Sequence, residues 1–371
     1  MRNLASIQKI TKLSPIEGAD KIEVAEILGW KVVVKKDDFK EGELVVYCEI
    51  DSVLPDKPEF EFLRPRNFKI KTIKLRNQIS QGIAFKLNEI PEIKNGNNWK
   101  EGDDITDLLG IKKYLSPEEL EEDIYEEPTF NDKNKLIRFY KKYRYFIIKY
   151  FKKLFGIPTL NKREYFPSYI PKTDETRVQS IPKDLYYNSG KIAYISEKLD
   201  GSSGTFIFKK KKKSLFKKSS EFIVCSRNRK VNNRDDSKWK IAKKYNIEKK
   251  LSLLNRNIAI QGEVIGPKVQ KNIYELSEID FRIFLIYDID KRSYLPFNEF
   301  ISLSKKIDIP TVPILETEHI VHTNIDEYVE MSKGKSILNP KRNREGIVIR
   351  LKDSSFSFKS INPDHLLSEK D

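Results

Sequence analysis

Near the middle of the chain, Lys191-Ile192-Ala193-Tyr194-Ile195 alternates polar and apolar residues as a strand does. It then runs into Glu197-Lys198-Leu199-Asp200-Gly201-Ser202-Ser203-Gly204-Thr205. Side chains two apart on a strand share a face, so the Lys198 amine and the Asp200 carboxylate are expected to point the same way. Gly201 lets the backbone turn away, or lets something bulky come close. Two chemistries fit: an exposed ion pair, or an amine nucleophile beside a metal-binding carboxylate. Further candidates follow downstream. Ser226-Arg227-Asn228 closes a strand with an arginine, and the apolar run Ile258–Gly266 carries Glu263 between two glycines. Phe281–Asp288 reads as a buried strand, Arg344-Glu345-Gly346 opens another, and Ser357-Phe358-Lys359 places a lysine near the end of the sequence. Taken singly each is weak, because a glutamate beside glycine in an apolar strand is more often structural than catalytic.

The elements that must position these groups need more than one core. With 371 residues, two domains are the prior, and 39% apolar content with 21 Phe and 17 Tyr can build them. Lys and Arg number 70 against 55 Asp and Glu, a formal charge of +15 that favours polyanionic partners, nucleic acid before an acidic membrane surface. No apolar run approaches a membrane span and no secretory leader is visible, so a cytoplasmic location is expected. Cys48 and Cys225 fit a reducing compartment and cannot form a zinc site. His319 and His322 have ligand-like spacing, but with one further histidine in the chain they are expected at the surface.

Residues 1–110 read as short strands between turns: Ile22–Ile27, Trp30–Val34, Leu44–Ile50, Lys69–Leu75 and Ile79–Phe85, with Lys40-Glu41-Gly42 and Lys100-Glu101-Gly102 as turns. This spacing predicts a small β-barrel, of OB type in the favoured case. Residues 111–163 form a charged linker, acidic to Glu127 and then basic. Leu136, Phe139, Tyr140, Tyr143, Ile147 and Tyr150 recur at helical spacing there and predict an amphipathic helix, which either packs on a domain or touches RNA or a membrane. Residues 164–371 form the second domain. There seven lysines between Lys209 and Lys218 read as the exposed tip of a long hairpin, and Asp236–Leu254 as one helix.

The ordered set Lys-x-Asp-Gly, Ser-Arg-Asn, Gly-Glu, Phe-x-x-Phe, Glu-Gly, Phe-Lys resembles the covalent nucleotidyltransferases, the superfamily of ATP-dependent ligases and mRNA capping enzymes. DNA ligases and capping enzymes carry an OB domain after the nucleotidyltransferase domain. Here only twelve residues follow Lys359 and the barrel comes first, which resembles the type 5 RNA ligases. Pro171–Gln179, Gly29–Lys36 and Glu49–Pro55 also look like that family. The resemblance implies an α+β fold: an N-terminal OB-type barrel, then an adenylation domain of antiparallel sheets with flanking helices. It implies Lys198 as the nucleophile that takes AMP from ATP, and Asp200, Glu263 and Glu345 as holders of hydrated Mg²⁺ or Mn²⁺. It further implies Lys359 on the α-phosphate, Glu197 framing adenine, Phe284 (with Phe281 as alternate) stacking under it, Arg227 at the ribose and Arg177 at a phosphate. Related RNA ligases can carry Lys-x-Lys at the last motif; Ile361 stands at the second position here, so only Lys359 carries over. The implied substrate is RNA, nicked or with 3′-OH and 5′-phosphate ends, and a monomer is expected. A DNA ligase, a capping guanylyltransferase and a non-catalytic RNA-binding protein on this fold are the alternatives.

Overall fold

The structure is a computed structural model that describes residues 3–94, 98–114, 165–214 and 217–368, with the backbone alone for 211–214 and 217–218. The expected basic helix of the linker lies outside these residues.

The first domain is an OB barrel. Its strands are β1 (Ala5–Pro15), β2 (Ile22–Ile27), β3 (Trp30–Lys35), β4 (Leu44–Cys48), β5 (Ser52–Val53), β6 (Ile73–Leu75), β7 (Gln78–Ser80), β8 (Ile83–Lys86) and β9 (Lys112–Lys113). The main sheet runs β3-β2-β1-β4-β8. β1 pairs with β4 through Ala5–Lys9 and with β2 through Ile10–Pro15, and its register shifts between Ile10 and Lys12. An irregularity at that point bends the long strand so that one strand serves both halves of the curl. The Gln81 N–H donates to the Lys31 carbonyl at 2.8 Å and draws the open edge toward β3. Trp30, Tyr47, Phe60 and Ile7 fill the interior. The expected strand Lys69–Leu75 shrinks to Ile73–Leu75, because Ile70 is already committed elsewhere: its N–H donates to the Ser52 carbonyl and its carbonyl accepts from the Asp51 N–H. Arg76 and Asn77 both have positive φ, 46° and 63°, as the two-residue turn of a tight hairpin requires. A 3₁₀ segment, Pro58–Arg66, was not foreseen; it lays Phe60 and Leu63 on the core.

In the second domain β10 (Thr176–Arg177), β11 (Ile192–Lys198), β12 (Ser202–Ser214), β13 (Lys217–Cys225), β14 (Ile258–Ile265), β15 (Asp280–Asp288), β16 (Ser293–Tyr294), β17 (Ile314–Ile320), β18 (Gly346–Leu351) and β19 (Ser357–Ile361) build two five-stranded sheets. Their orders are β10-β19-β18-β11-β17 and β13-β12-β14-β15-β16. The chain passes from one sheet to the other across Leu199–Gly201, between β11 and β12. The expected helix Asp236–Leu254 is two, Ser237–Lys244 and Ile247–Leu253, broken where Asn246 takes a left-handed φ of 50°. The long hairpin is present, but its strands do not stop at the first lysine: pairing continues from Phe208↔Phe222 through Lys212↔Lys218. Backbone hydrogen bonds carry the ladder through this stretch. His319 is buried rather than exposed, its Nε2 3.2 Å from the Tyr328 hydroxyl, while His322 stacks on the same ring at 4.2 Å.

Several contacts join the domains. The Gly29 N–H donates to the Gln179 carbonyl at 3.0 Å, the Ser180 hydroxyl to Glu49 at 2.9 Å, and Arg177 to Asp51 at 2.7 Å. Leu366, in the last helix (Pro363–Ser368), packs on the barrel core. A Cβ on Gly29 would come within 2.5 Å of Ile325, so the approach needs glycine.

Candidate active site

A cavity of about 360 Å³ opens where the two sheets meet, and Glu197, Lys198, Asp200, Arg227, Glu263, Phe284, Glu345 and Lys359 all line it. One sheet supplies Glu197 and Lys198 from the end of β11, Glu345 from the residue before β18, and Lys359 from β19. The pairings Lys198↔Gly346 and Val348↔Lys359 set these groups side by side. A Cβ on Gly346 would lie 2.3 Å from the Ser360 carbonyl, so glycine is what lets β18 and β19 close up behind Glu345. The other sheet supplies Glu263 from β14, Phe284 from β15, and Arg227 just after β13. Gly201 serves close approach: a Cβ there would meet the Val264 carbonyl at 2.4 Å and the Glu263 side chain at 2.8 Å.

Burial of Lys198, Glu263 and Lys359 strengthens the electrostatics on the cavity floor. The Lys198 amine donates to Glu345 at 2.6 Å. Burial favours the neutral amine, but Glu345, Glu263 and Asp200 outweigh it and hold Lys198 above the ordinary lysine range. Burial pushes Glu263 up to about 8; Lys198 opposes this, while Glu345 and Asp200 add repulsion. Burial pulls Lys359 below the usual lysine range, against the attraction of Asp174. The Asp174 carboxylate bridges two cations, accepting from Lys359 at 2.9 Å through Oδ1 and pairing with Arg227 at 2.9 Å through Oδ2. Against the cost of burial, those two cations hold Asp174 down at about 2. Glu197 is buried, its Oε2 accepts from the Ile337 N–H at 2.8 Å, and burial raises it above the usual carboxylate range. The Asp200 N–H donates to the Tyr274 hydroxyl at 2.6 Å, fixing the loop between the sheets.

Of the two aromatic candidates, Phe284 lines the cavity, whereas Phe281 is fully buried against Phe206, ring centres 5.0 Å apart. Arg177 stands apart from the cavity lining: it is buried at the domain junction on Asp51, though its β10 pairs in parallel with β19 opposite Lys359. Asp174, Glu175 and Arg350 line the cavity without having been assigned roles. Arg350 is 2% exposed, donates to Glu175 at 2.5 Å and to the Tyr194 hydroxyl at 3.2 Å, and so pins the Thr173–Glu175 segment to the sheet floor. An arginine closing the apolar strand Gly346-Ile347-Val348-Ile349 was the one sequence signal for it.

Residues 4–87 match an OB-fold domain family and residues 191–361 the RNA ligase family. Across the whole chain the structure is similar to an RNA ligase from Naegleria gruberi. The form solved with ATP and Mn is 32% identical with a TM-score of 0.77, covering 99% of this chain and 99% of that one. The form solved with PPi is 31% identical with a TM-score of 0.76, covering 100% and 99%. The chain belongs to the RNA ligase family. No curated protein matches it.

Whether this ligase can hold a divalent cation is a question for its carboxylates. Among the described residues no three His, Cys, Asp or Glu side chains are placed to grip an ion directly. Yet Asp200, Glu263 and Glu345 share one cavity, repel one another, and leave the buried Oε2 of Glu345 without a hydrogen bond. Crowded carboxylates with an orphaned oxygen suit a hydrated Mg²⁺ or Mn²⁺ held partly through its waters.

Proposed function

We propose that the chain joins RNA 3′-OH and 5′-phosphate ends through AMP carried on Lys198, using ATP and a divalent cation held by Asp200, Glu263 and Glu345. In the first step the Lys198 nitrogen bonds to the α-phosphorus of ATP, the α–β bridging bond breaks, and pyrophosphate leaves. AMP then passes to the RNA 5′-phosphate, freeing the lysine; finally the 3′-OH attacks that phosphate and AMP departs. The observation that carries the reading is Lys198 at the focus of three carboxylates with a second lysine, Lys359, in the same cavity.

The residues divide the work by charge. Glu345 orients the Lys198 amine and keeps it protonated until nucleotide arrives. A bound Mg²⁺ would supply the positive charge that lowers the cost of a neutral amine and stabilises the α-phosphate. Lys359 and Arg227 already grip an anion, Asp174; a phosphate of ATP takes that place, Lys359 acting where negative charge grows in attack. Phe284, with Leu199, Val312 and Val348, offers an apolar wall for adenine, and the Glu197 segment frames its edge. Arg177 would act on phosphate through Lys359's strand rather than from the cavity wall.

We assign residues 1–110 to the barrel, 111–163 to a linker and 164–371 to the nucleotidyltransferase domain, and read the protein as a cytoplasmic monomer. The buried Cys48 and Cys225, free thiols each pushed up to about 12 by burial, support a reducing compartment. No helix among the described residues is long and apolar enough to cross a membrane.

Incubation with α-labelled ATP and Mg²⁺ on a denaturing gel tests the reading. The protein should carry label and Lys198→Ala should not, yet Lys198→Ala should still seal RNA supplied already adenylated. Label on Lys198→Ala would overturn it. A nicked RNA duplex beside a nicked DNA duplex, and labelled GTP beside ATP, distinguish the DNA ligase and guanylyltransferase alternatives.

A further inference from the structure

A second cavity, about 370 Å³, lies against Asp200 and shares that residue with the nucleotide cavity. Its walls come from stretches remote in sequence, and four of its side chains are cations: Lys271, Lys335, Lys341 and Arg342. Arg342 pairs with Glu275 at 3.2 Å, and Lys335 donates to the Asn343 amide oxygen at 2.9 Å. Lys271 and Lys341 are exposed and make no ion pair among the described residues. Four cations face two carboxylates, Asp200 and Glu275, so the concavity keeps an excess of positive charge beside the reacting lysine. The loop that forms one wall follows β14, the strand of Glu263, and is sharply folded: Gly266, Lys268, Gln270, Asn272 and Glu275 all have positive φ. Gln270 faces the nucleotide cavity and Lys271 the second one, so this loop is the partition between them.

We propose that this second cavity binds consecutive phosphates of the RNA strand whose end is being adenylated or joined. The proposal rests on the RNA-ligase reading and assigns a subsite to it. The nucleotide cavity has its own anion grip in Lys359 and Arg227, so these four cations are surplus to ATP. Exposed lysines, hydrated point charges on flexible stems, suit a phosphodiester backbone and gain by releasing its counterions. The place is also right: Asp200 is two residues from Lys198, so a strand lying here delivers its end to the carried AMP. Pyrophosphate offers the same chemistry, and the test must tell the two apart.

The experiment compares the full-length protein with Lys271→Gln/Lys341→Gln and with the charge-retaining Lys271→Arg/Lys341→Arg. Binding of a nicked RNA duplex is measured from 0.05 to 0.5 M salt, together with sealing, lysine adenylation, and pyrophosphate-driven release of AMP from the adenylated enzyme. Two lost phosphate contacts should lower the salt slope by about 1.8, worth roughly 30-fold in affinity at 0.15 M. The Gln pair should seal poorly at low RNA while adenylation and AMP release stay near the parent's, and the Arg pair should behave as the parent does. An unchanged salt slope would overturn the proposal. So would parallel loss of adenylation and AMP release in the Gln pair but not the Arg pair, which would assign the cavity to pyrophosphate. A Gln pair that fails to fold is replaced by each single substitution, for which half the slope change is expected. A parent that seals no RNA would refute the underlying reading instead.

Discussion

Asp174 gives the sharpest prediction. Its carboxylate lies between Lys359 and Arg227, 2.9 Å from each, so ATP must displace it to reach those cations. Asp174→Asn keeps the shape and removes the charge. The side chain is 53% exposed, so each ion pair belongs in the screened range of about 0.2–1 kcal/mol. Displacing two such pairs costs ATP about 0.4–2 kcal/mol, and lifting that cost tightens binding roughly two- to thirtyfold. Calorimetric titration of ATP and Mg²⁺ into Lys198→Ala and into Lys198→Ala/Asp174→Asn isolates binding from the chemical step. The same substitution leaves Lys359 half-buried without its anion, so the free protein should melt lower, and saturating ATP should raise its melting temperature more than the parent's. The pH dependence has a definite sign. Asp174 sits at about 2 in the folded protein, below the ordinary value near ~3.9, so its stabilisation is present above that value and lost as pH falls from about 4 to about 2. Asp174→Asn should flatten acid unfolding in that window. Unchanged or weaker ATP binding by a folded Asp174→Asn protein would refute the displacement argument.

Three further outcomes are expected. Glu263→Ala and Glu345→Ala should each slow lysine adenylation by about 100-fold or more, because metal-based charge stabilisation is worth several kcal/mol, and excess Mg²⁺ should rescue only partly; wild-type rates in both would make these carboxylates structural. Gly201→Ala leaves every charged group in place but drives a methyl into the Val264 carbonyl and Glu263; adenylation should fall sharply with about 1–3 kcal/mol lost in denaturant unfolding, and a parent-like rate would show that the loop gives way. Replacing the seven lysines between Lys209 and Lys218 with serine should weaken RNA binding and reduce its salt slope by ~0.9 per lost contact on duplex, with adenylation by ATP unchanged; an identical slope would return this run to a solvated surface.

The residues that the sequence singles out for chemistry gather in one cavity because they sit in or at the ends of strands beside glycines, where local pattern and site geometry coincide. Lys198, Glu263 and Glu345 follow or precede clean apolar runs, and all three reach one cavity. What could not be read was long-range placement. Asp174 sits in a polar, turn-rich stretch, and nothing local says that its partners lie 53 and 185 residues away. Arg350 and Glu175 are likewise one ion pair, its arginine buried, split between a strand and a loop. Period-based reading also overran where the backbone takes a left-handed residue: Asn246 cut an amphipathic pattern that continues unbroken in the sequence. The second cationic cavity was invisible for the same reason, since its lysines are scattered and gather only when the loop after β14 folds back.

Arg177 bears on how freely the two halves of such a chain can be exchanged. Its strand borders the one that carries Lys359, while its guanidinium ends on Asp51 of the barrel, with the Gly29–Gln179 and Ser180–Glu49 bonds alongside. A chimera that grafts a foreign barrel onto residues 164–371 would keep every side chain lining the first cavity, yet strand a nearly buried cation on the strand beside Lys359. The graft would function only with an acid at the position of Asp51 and a residue as small as glycine at position 29. Recombination at this seam is therefore governed less by the residues that line the cavity than by three barrel residues outside it, Gly29, Glu49 and Asp51.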